Sequence, residues 1–151
     1  MKKHWDSVDE ILDFAIKREE EAAAFYTNLA ARVDKPWMQR VFEEFADEEK
    51  QHKAKLVAVK SGASFQPSKE RVLDLKIADY LVSVTPTDDM SYQDALVVAM
   101  KKEKAAFKLY NDLASSTEDE NVKTTFLALA QEEARHKLRF EVEYDDLLSD
   151  N

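Results

Sequence analysis

Cysteine is absent from the 151 residues, glycine occurs once and proline three times. Without cysteine there are no disulfides, thiolate metal ligands or cysteine nucleophiles, and a reducing compartment is permitted. The scarcity of glycine and proline starves a β-rich fold of turn residues, while abundant Ala, Leu, Glu and Lys favour long helices. No uninterrupted apolar run reaches membrane-spanning length. The opening Met1-Lys2-Lys3-His4-Trp5-Asp6 leads into a charged helix, not an apolar signal segment, so a soluble cytoplasmic protein without a membrane partner is expected. Basic charge is also in deficit, 22 Lys and Arg against 31 Asp and Glu for a formal net charge of −9, the wrong sign for gripping nucleic acid. The length supports one apolar core, so an all-α class and a single domain over residues 1–151 are expected.

Apolar periodicity and capping residues divide the chain into four main helices. Ser7-Val8-Asp9-Glu10 reads as a capping box opening a helix that runs to about Arg32, its inward face holding Leu12, Ala15, Ala22, Ala23, Tyr26 and Ala30. A break at Val33-Asp34-Lys35-Pro36 offers Asp34 as N-cap for a second helix that continues to about Lys60 and stops near Gly62. Residues 62–90 form a long connection in which Val72 to Leu81 is expected to make a short helix. Ser91 and Asp94 open the third helix, and Thr117 with Glu120 the fourth, after a tight Ser115-Ser116 turn.

The two halves repeat each other. Ala15-x-x-x-Glu19-x-x-Ala22-Ala23-x-x-Tyr26-x-x-Leu29-Ala30 recurs as Ala99-x-x-x-Glu103-x-x-Ala106-Phe107-x-x-Tyr110-x-x-Leu113-Ala114. Phe42-x-x-Phe45-x-x-x-Glu49-x-x-His52 recurs as Phe126-x-x-Leu129-x-x-x-Glu133-x-x-His136 at the same offset of 84 residues. Shared apolar spacing alone is common among helices. A shared register of acidic, aromatic and imidazole positions is not.

Four of the glutamates lie inside the apolar stripes: Glu19, Glu49, Glu103 and Glu133. Glu20, Glu21, Glu43, Glu48 and Glu132 are expected on solvated faces instead. Burying four carboxylates is expensive unless opposite charge is supplied, and the stripes are read as holding no Lys or Arg to supply it. Two divalent cations would balance the four charges. Two neutral imidazoles, His52 and His136, complete an oxygen-rich set with some nitrogen, which suits iron or manganese, and i, i+3 spacing lets each Glu and its His act on one face. Equal distances from Glu19 to the Asp34 break and from the break to Glu49 bring that pair level, and Glu103 and Glu133 are placed alike about Ser115-Ser116. For the halves to meet with their sites level, the long connection must cross the bundle's length, about 35–40 Å. Tyr26 and Tyr110 are read first as core residues with satisfied hydroxyls, with hydrogen bonding to a ligand carboxylate or electron transfer as the alternative, His4 as exposed, and Trp5 and Trp37 as packing between elements or subunits.

Glu on two helices with Glu-x-x-His on the other two resembles the ferritin-like di-iron carboxylate pattern. The phrases Ala15-Ile16-Lys17-Arg18-Glu19-Glu20-Glu21 leading to Phe25-Tyr26, and Asp47-Glu48-Glu49-Lys50-Gln51-His52, resemble the rubrerythrin-related proteins over all four helices. The resemblance implies a ferritin-like four-helix bundle built from two helical-hairpin repeats, with a long crossover between helices two and three. It makes Glu49 and Glu133 the bridging, catalytic carboxylates, Glu19 and Glu103 terminal ligands, and His52 and His136 one ligand to each of two iron ions, with manganese or zinc as possible substitutes. It implies oxidation of ferrous iron with reduction of hydrogen peroxide or dioxygen, a di-iron peroxidase or ferroxidase type of oxidoreductase acting in oxidative-stress defence. An iron-binding or storage protein is the alternative, and a metal-free helical interaction module a third reading. Lacking the cysteines of a rubredoxin domain, the chain would draw electrons from a separate donor protein. Ending soon after its fourth helix, without the extra helix of ferritin cages, it is expected to form a homodimer or small homo-oligomer. One departure stands out: where the family carries a second Glu one turn away on the third helix, this sequence has Met100 and Ala106 around Glu103.

Overall fold

A computed structural model describes residues 7–63, 85–88 and 90–149, and every regular element among them is an α-helix. These are α1 (Val8–Arg32), α2 (Pro36–Lys60), α3 (Tyr92–Ser115) and α4 (Glu120–Ser149). None is long and apolar enough to cross a membrane. The short helix expected over 72–81, and His4 and Trp5, lie outside the described residues.

Local chemistry accounts for the helix ends. The Ser7 side chain accepts from the Glu10 amide at 3.1 Å, and Ser91 repeats this with Asp94 at 3.1 Å, as the capping reading requires. Asp34 is not the N-cap of α2. Lys35, as the residue before Pro36, is confined to extended backbone (φ −99°, ψ 139°) and so takes the cap position itself, without a side-chain oxygen to contribute. At the other end Gly62 adopts φ 106°, its amide donating to Val59 O and that of Ala63 to Ala58 O, the paired bonds of a left-handed helix stop. Thr117 likewise does not cap α4: its hydroxyl accepts from the Asp119 amide, while the Asp119 carboxylate accepts from the Val122 amide at 3.0 Å.

Helix α1 packs along α2 and α3 along α4, giving two hairpins that face each other, with α2 and α4 in contact across the middle. Two apolar clusters form the core. One holds Tyr26, Phe42, Phe45, Leu96, Met100 and Phe140, the other Leu12, Leu56, Tyr110, Leu113, Phe126 and Leu129. The first cluster takes the C-terminal half of α1, the N-terminal halves of α2 and α3, and the C-terminal half of α4. Hence α1 runs opposite to both α2 and α3, and the chain must traverse the bundle between α2 and α3. That is the long crossover of a four-helix bundle made from two hairpins. On every helix the switch from one cluster to the other falls at a buried glutamate: Glu19, Glu49, Glu103 or Glu133.

Phe42, fully buried, stacks against Tyr26 at 6.4 Å and Phe140 at 5.9 Å between ring centroids. Phe42→Ala should therefore cost about 3–5 kcal/mol in urea unfolding of the metal-free chain, through lost apolar transfer and the cavity left behind.

Candidate metal centre

All six expected side chains converge between the two apolar clusters. The four carboxylates are 1–2% exposed, His52 3% and His136 6%. Two overlapping four-residue sets emerge, Glu19, Glu49, His52 and Glu133 in one and Glu49, Glu103, Glu133 and His136 in the other, beside a smaller one of Glu49, His52 and His136, each with one donor atom per residue lying within 4.8 Å of the rest. Glu49 and Glu133 belong to both four-residue sets. His52 Nδ1 lies 2.9 Å from Glu133 Oε1 and 3.6 Å from Glu19 Oε2; His136 Nδ1 lies 3.2 Å from Glu49 Oε1 and 3.6 Å from Glu103 Oε2. The imidazoles stack in parallel, 5.5 Å apart. Each histidine therefore reaches the shared carboxylate of the opposite hairpin.

Seven atoms facing this space make no hydrogen bond: Glu19 Oε2, Glu49 Oε1, His52 Nδ1, Glu103 Oε2, both oxygens of Glu133 and His136 Nδ1. Orphaned polar atoms at this depth are destabilising unless a cation occupies their focus. Six oxygen and nitrogen donors in two sets sharing two carboxylates fit a pair of hard-to-borderline divalent ions. The protein's own groups relieve the charge only in part. Burial, then the charges of neighbouring carboxylates, push Glu49 up to about 9, although His136 opposes the rise. Glu133 rises well above the usual carboxylate range for the same two reasons, the nearest charges being Glu103 and Glu49. Burial also acts to raise Glu103, but the neighbouring Glu133, His136 and Tyr26 groups outweigh it, and the net shift is downward. Burial alone would lower His136; Glu103, Glu48 and Glu49 overcome it and raise it to about 12.

The tyrosines do more than fill the core. Tyr26 donates its hydroxyl proton to Glu103 Oε1 and Tyr110 donates to Glu19 Oε1, each bond crossing from one hairpin to the other. Burial, then the charge of the accepting glutamate, keeps both phenols protonated well beyond their ordinary range, so they remain donors.

Two sequence-based expectations change here. Glu48 is not on a freely solvated face: its carboxylate makes a close ion-pair contact with His136 Nε2, the ring nitrogen turned away from the cluster. That contact holds Glu48 below its usual range against the effect of burial. The signal lay in the repeat, since Glu132 stands at the equivalent position, yet Glu132 pairs with Arg135 at 3.2 Å instead. The stripes also contain a cation after all, because Lys137, four residues beyond Glu133, is 7% exposed. Its ammonium lies 3.4 Å from the buried Glu141, one turn further along α4. Glu20, Glu21 and Glu43 are exposed as expected, and Trp37, 43% exposed, meets Tyr92 edge-on at 5.0 Å.

Metal binding must displace the protons held by Glu49, Glu133 and His136. Titrating a divalent cation into the metal-free chain near pH 7 should release about two to three protons, and apparent affinity should climb as pH rises towards about 9, where Glu49 gives up its proton, and more gently beyond, since His136 keeps its own to about 12. Calorimetry in buffers of different ionisation enthalpy measures both. Because Glu48 orients His136 from its far nitrogen, Glu48→Gln should weaken metal binding about tenfold while leaving helicity intact.

Residues 10–144 match the family described as Rubrerythrin. A solved structure of a hypothetical protein from Pyrococcus furiosus is similar, at 27% identity and a TM-score of 0.64, over 95% of this chain and 92% of that one. A search of curated proteins returned no match. With the family match spanning all four helices and every one of the six converging side chains, the chain belongs to the rubrerythrin family.

Proposed function

We propose that the chain is a non-haem di-iron protein that oxidises ferrous iron while reducing hydrogen peroxide or dioxygen. The observation that carries this reading is the pair of overlapping donor sets with Glu49 and Glu133 common to both. Glu19 and His52 would complete one ion's ligands, Glu103 and His136 the other's, with the shared carboxylates linking them. A pair of ferrous ions held there would supply the two electrons that, with two protons, convert hydrogen peroxide to two waters. The excess negative charge of four carboxylates over two imidazoles favours the more highly charged ferric product. Manganese fits the same donors, whereas zinc would fit them without supplying an electron.

The rest of the site works on orientation and water. Tyr26 and Tyr110 hold one oxygen each of Glu103 and Glu19, leaving the other oxygen of each free for metal. Phe45 packs edge-on against the His136 ring at 4.8 Å, limiting its rotation and closing that side to solvent. In this reading the two electrons return from a separate donor protein, and the chain acts in the cytoplasm as a homodimer or small homo-oligomer.

The protein loaded under low oxygen should hold about two iron ions per chain, one for each donor set, and peroxide should oxidise them in a single turnover followed by absorbance. Glu49→Ala combined with Glu133→Ala should reduce that oxidation to the rate of free ferrous ion. An undiminished rate in the double variant would sink the proposal.

A further inference from the structure

The two hairpins do not close on each other evenly. Helix α1 packs along α2 and α3 along α4, while α1 and α3 approach only sparsely. Between them lies a cavity of about 210 Å³ whose floor is Glu19, Glu49 and Tyr110. Its walls include Ala22 and Ala106, each three residues beyond the buried glutamate of its own helix and therefore on nearly the same face. Two methyl groups stand where longer side chains would fill the gap. Arg18 and Lys102 also line the cavity. The Arg18 charge is partly offset by Glu21 at 3.2 Å, whereas the Lys102 ammonium lies over the Phe25 ring, 5.3 Å from its centroid.

We infer that this opening is the port through which a small neutral or anionic molecule reaches the centre, and that metal ions do not load through it. The inference rests on the di-iron reading for the identity of its natural user, the oxidant. Three observations carry it. The floor includes Glu19 and Glu49, two of the six converging residues, so the cavity ends on ligand residues of the cluster and not on apolar core. The volume accommodates several molecules of water size, at about 30 Å³ each, but not a bulky organic substrate. The basic residues repel a dication and are indifferent to hydrogen peroxide, which is uncharged at neutral pH, or attractive to an anion. Ala106 is thus a specificity-determining position: its methyl group leaves open a route that a longer side chain would block.

Cobalt and azide test the port without requiring redox turnover. Cobalt uptake by the metal-free full chain reports cation entry, and azide association with the cobalt-loaded chain, followed by stopped-flow absorption, reports entry of a small anion. Ala106→Leu should slow azide association tenfold or more while cobalt uptake stays within twofold of the parent. Lys102→Glu should slow azide association several-fold at low salt, with the difference vanishing as salt screens the rim. Azide association unchanged in Ala106→Leu overturns the port, assigning entry to another opening such as the groove between α1 and α2 that also touches Glu19. Equal slowing of azide and cobalt overturns the exclusion of metal. Should Ala106→Leu lose its helicity, Lys102→Glu decides alone, and a salt-independent, unaltered azide rate overturns the inference. A wild-type ferrous protein inert to both peroxide and dioxygen would remove the redox reading while the cobalt and azide rates still judge the port.

Discussion

Four carboxylates buried at one level of an apolar bundle are the constraint around which the rest is arranged. Taking even one carboxylate out of water is destabilising by several kcal/mol after relaxation, and four together add mutual repulsion. The protein's internal remedies are unevenly distributed. Glu103, beside Glu133 and His136 and bonded by the Tyr26 hydroxyl, falls in pKa, whereas Glu49 and Glu133 rise, because burial and neighbouring negative charge dominate there. The unbalanced charge is therefore concentrated on the two residues common to both donor sets. A pair of cations placed between them relieves the largest penalty at the point where it is greatest.

The same constraint makes the site a property of two hairpins and not of either. Tyr26 on α1 holds Glu103 on α3, Tyr110 on α3 holds Glu19 on α1, and each histidine reaches the shared carboxylate from the other half. A single hairpin offers two carboxylates and one imidazole, short of either complete set. Metal affinity and the docking of the hairpins are consequently one free energy, in which loss of a ligand also loosens the fold. The approximate twofold symmetry breaks beyond the ligands: His136 has the Glu48 carboxylate behind it, while Glu132, at the equivalent position for His52, is engaged by Arg135. The two imidazoles thus differ in the group that stands behind them. Two metal positions with the same donor types need not share one redox potential or one affinity.

Most of the fold was legible because its signals are local and periodic. The register of Glu19, Glu49, Glu103 and Glu133 within apolar stripes placed all four in the core, and the 84-residue repeat showed which helices correspond. What sequence reasoning missed depends in some cases on an adjacent residue or turn and in others on another segment of chain. Asp34 looks like a cap from its own chemistry, but the ring of Pro36 decides the backbone of Lys35 and moves the cap by one residue. Glu48 looks solvated on α2 alone, since only the approach of α4 brings the His136 ring against it. Lys137 looks like a surface cation until Glu141, buried one turn away, gives its ammonium a partner inside. Tyr26 and Tyr110 were legible as buried, but the direction of their hydroxyls belongs to the pairing of hairpins, which no single helix encodes.

The absence of a further glutamate beside Glu103 has a structural counterpart. A carboxylate at Ala106 would lie one turn from Glu103 and beside Glu19 and Glu49, adding a fifth negative charge to a cluster whose shared carboxylates already hold protons. An alanine there avoids that charge and leaves space reaching to the floor of Glu19, Glu49 and Tyr110. Within the proposed di-iron reading, ligand number and access are therefore alternatives at a single position. A side chain long enough to bind metal would occupy the route by which a small molecule arrives. With Ala22 at the equivalent place on α1, both walls are short, and a cavity reaches two of the six ligand residues, Glu19 and Glu49, from one side.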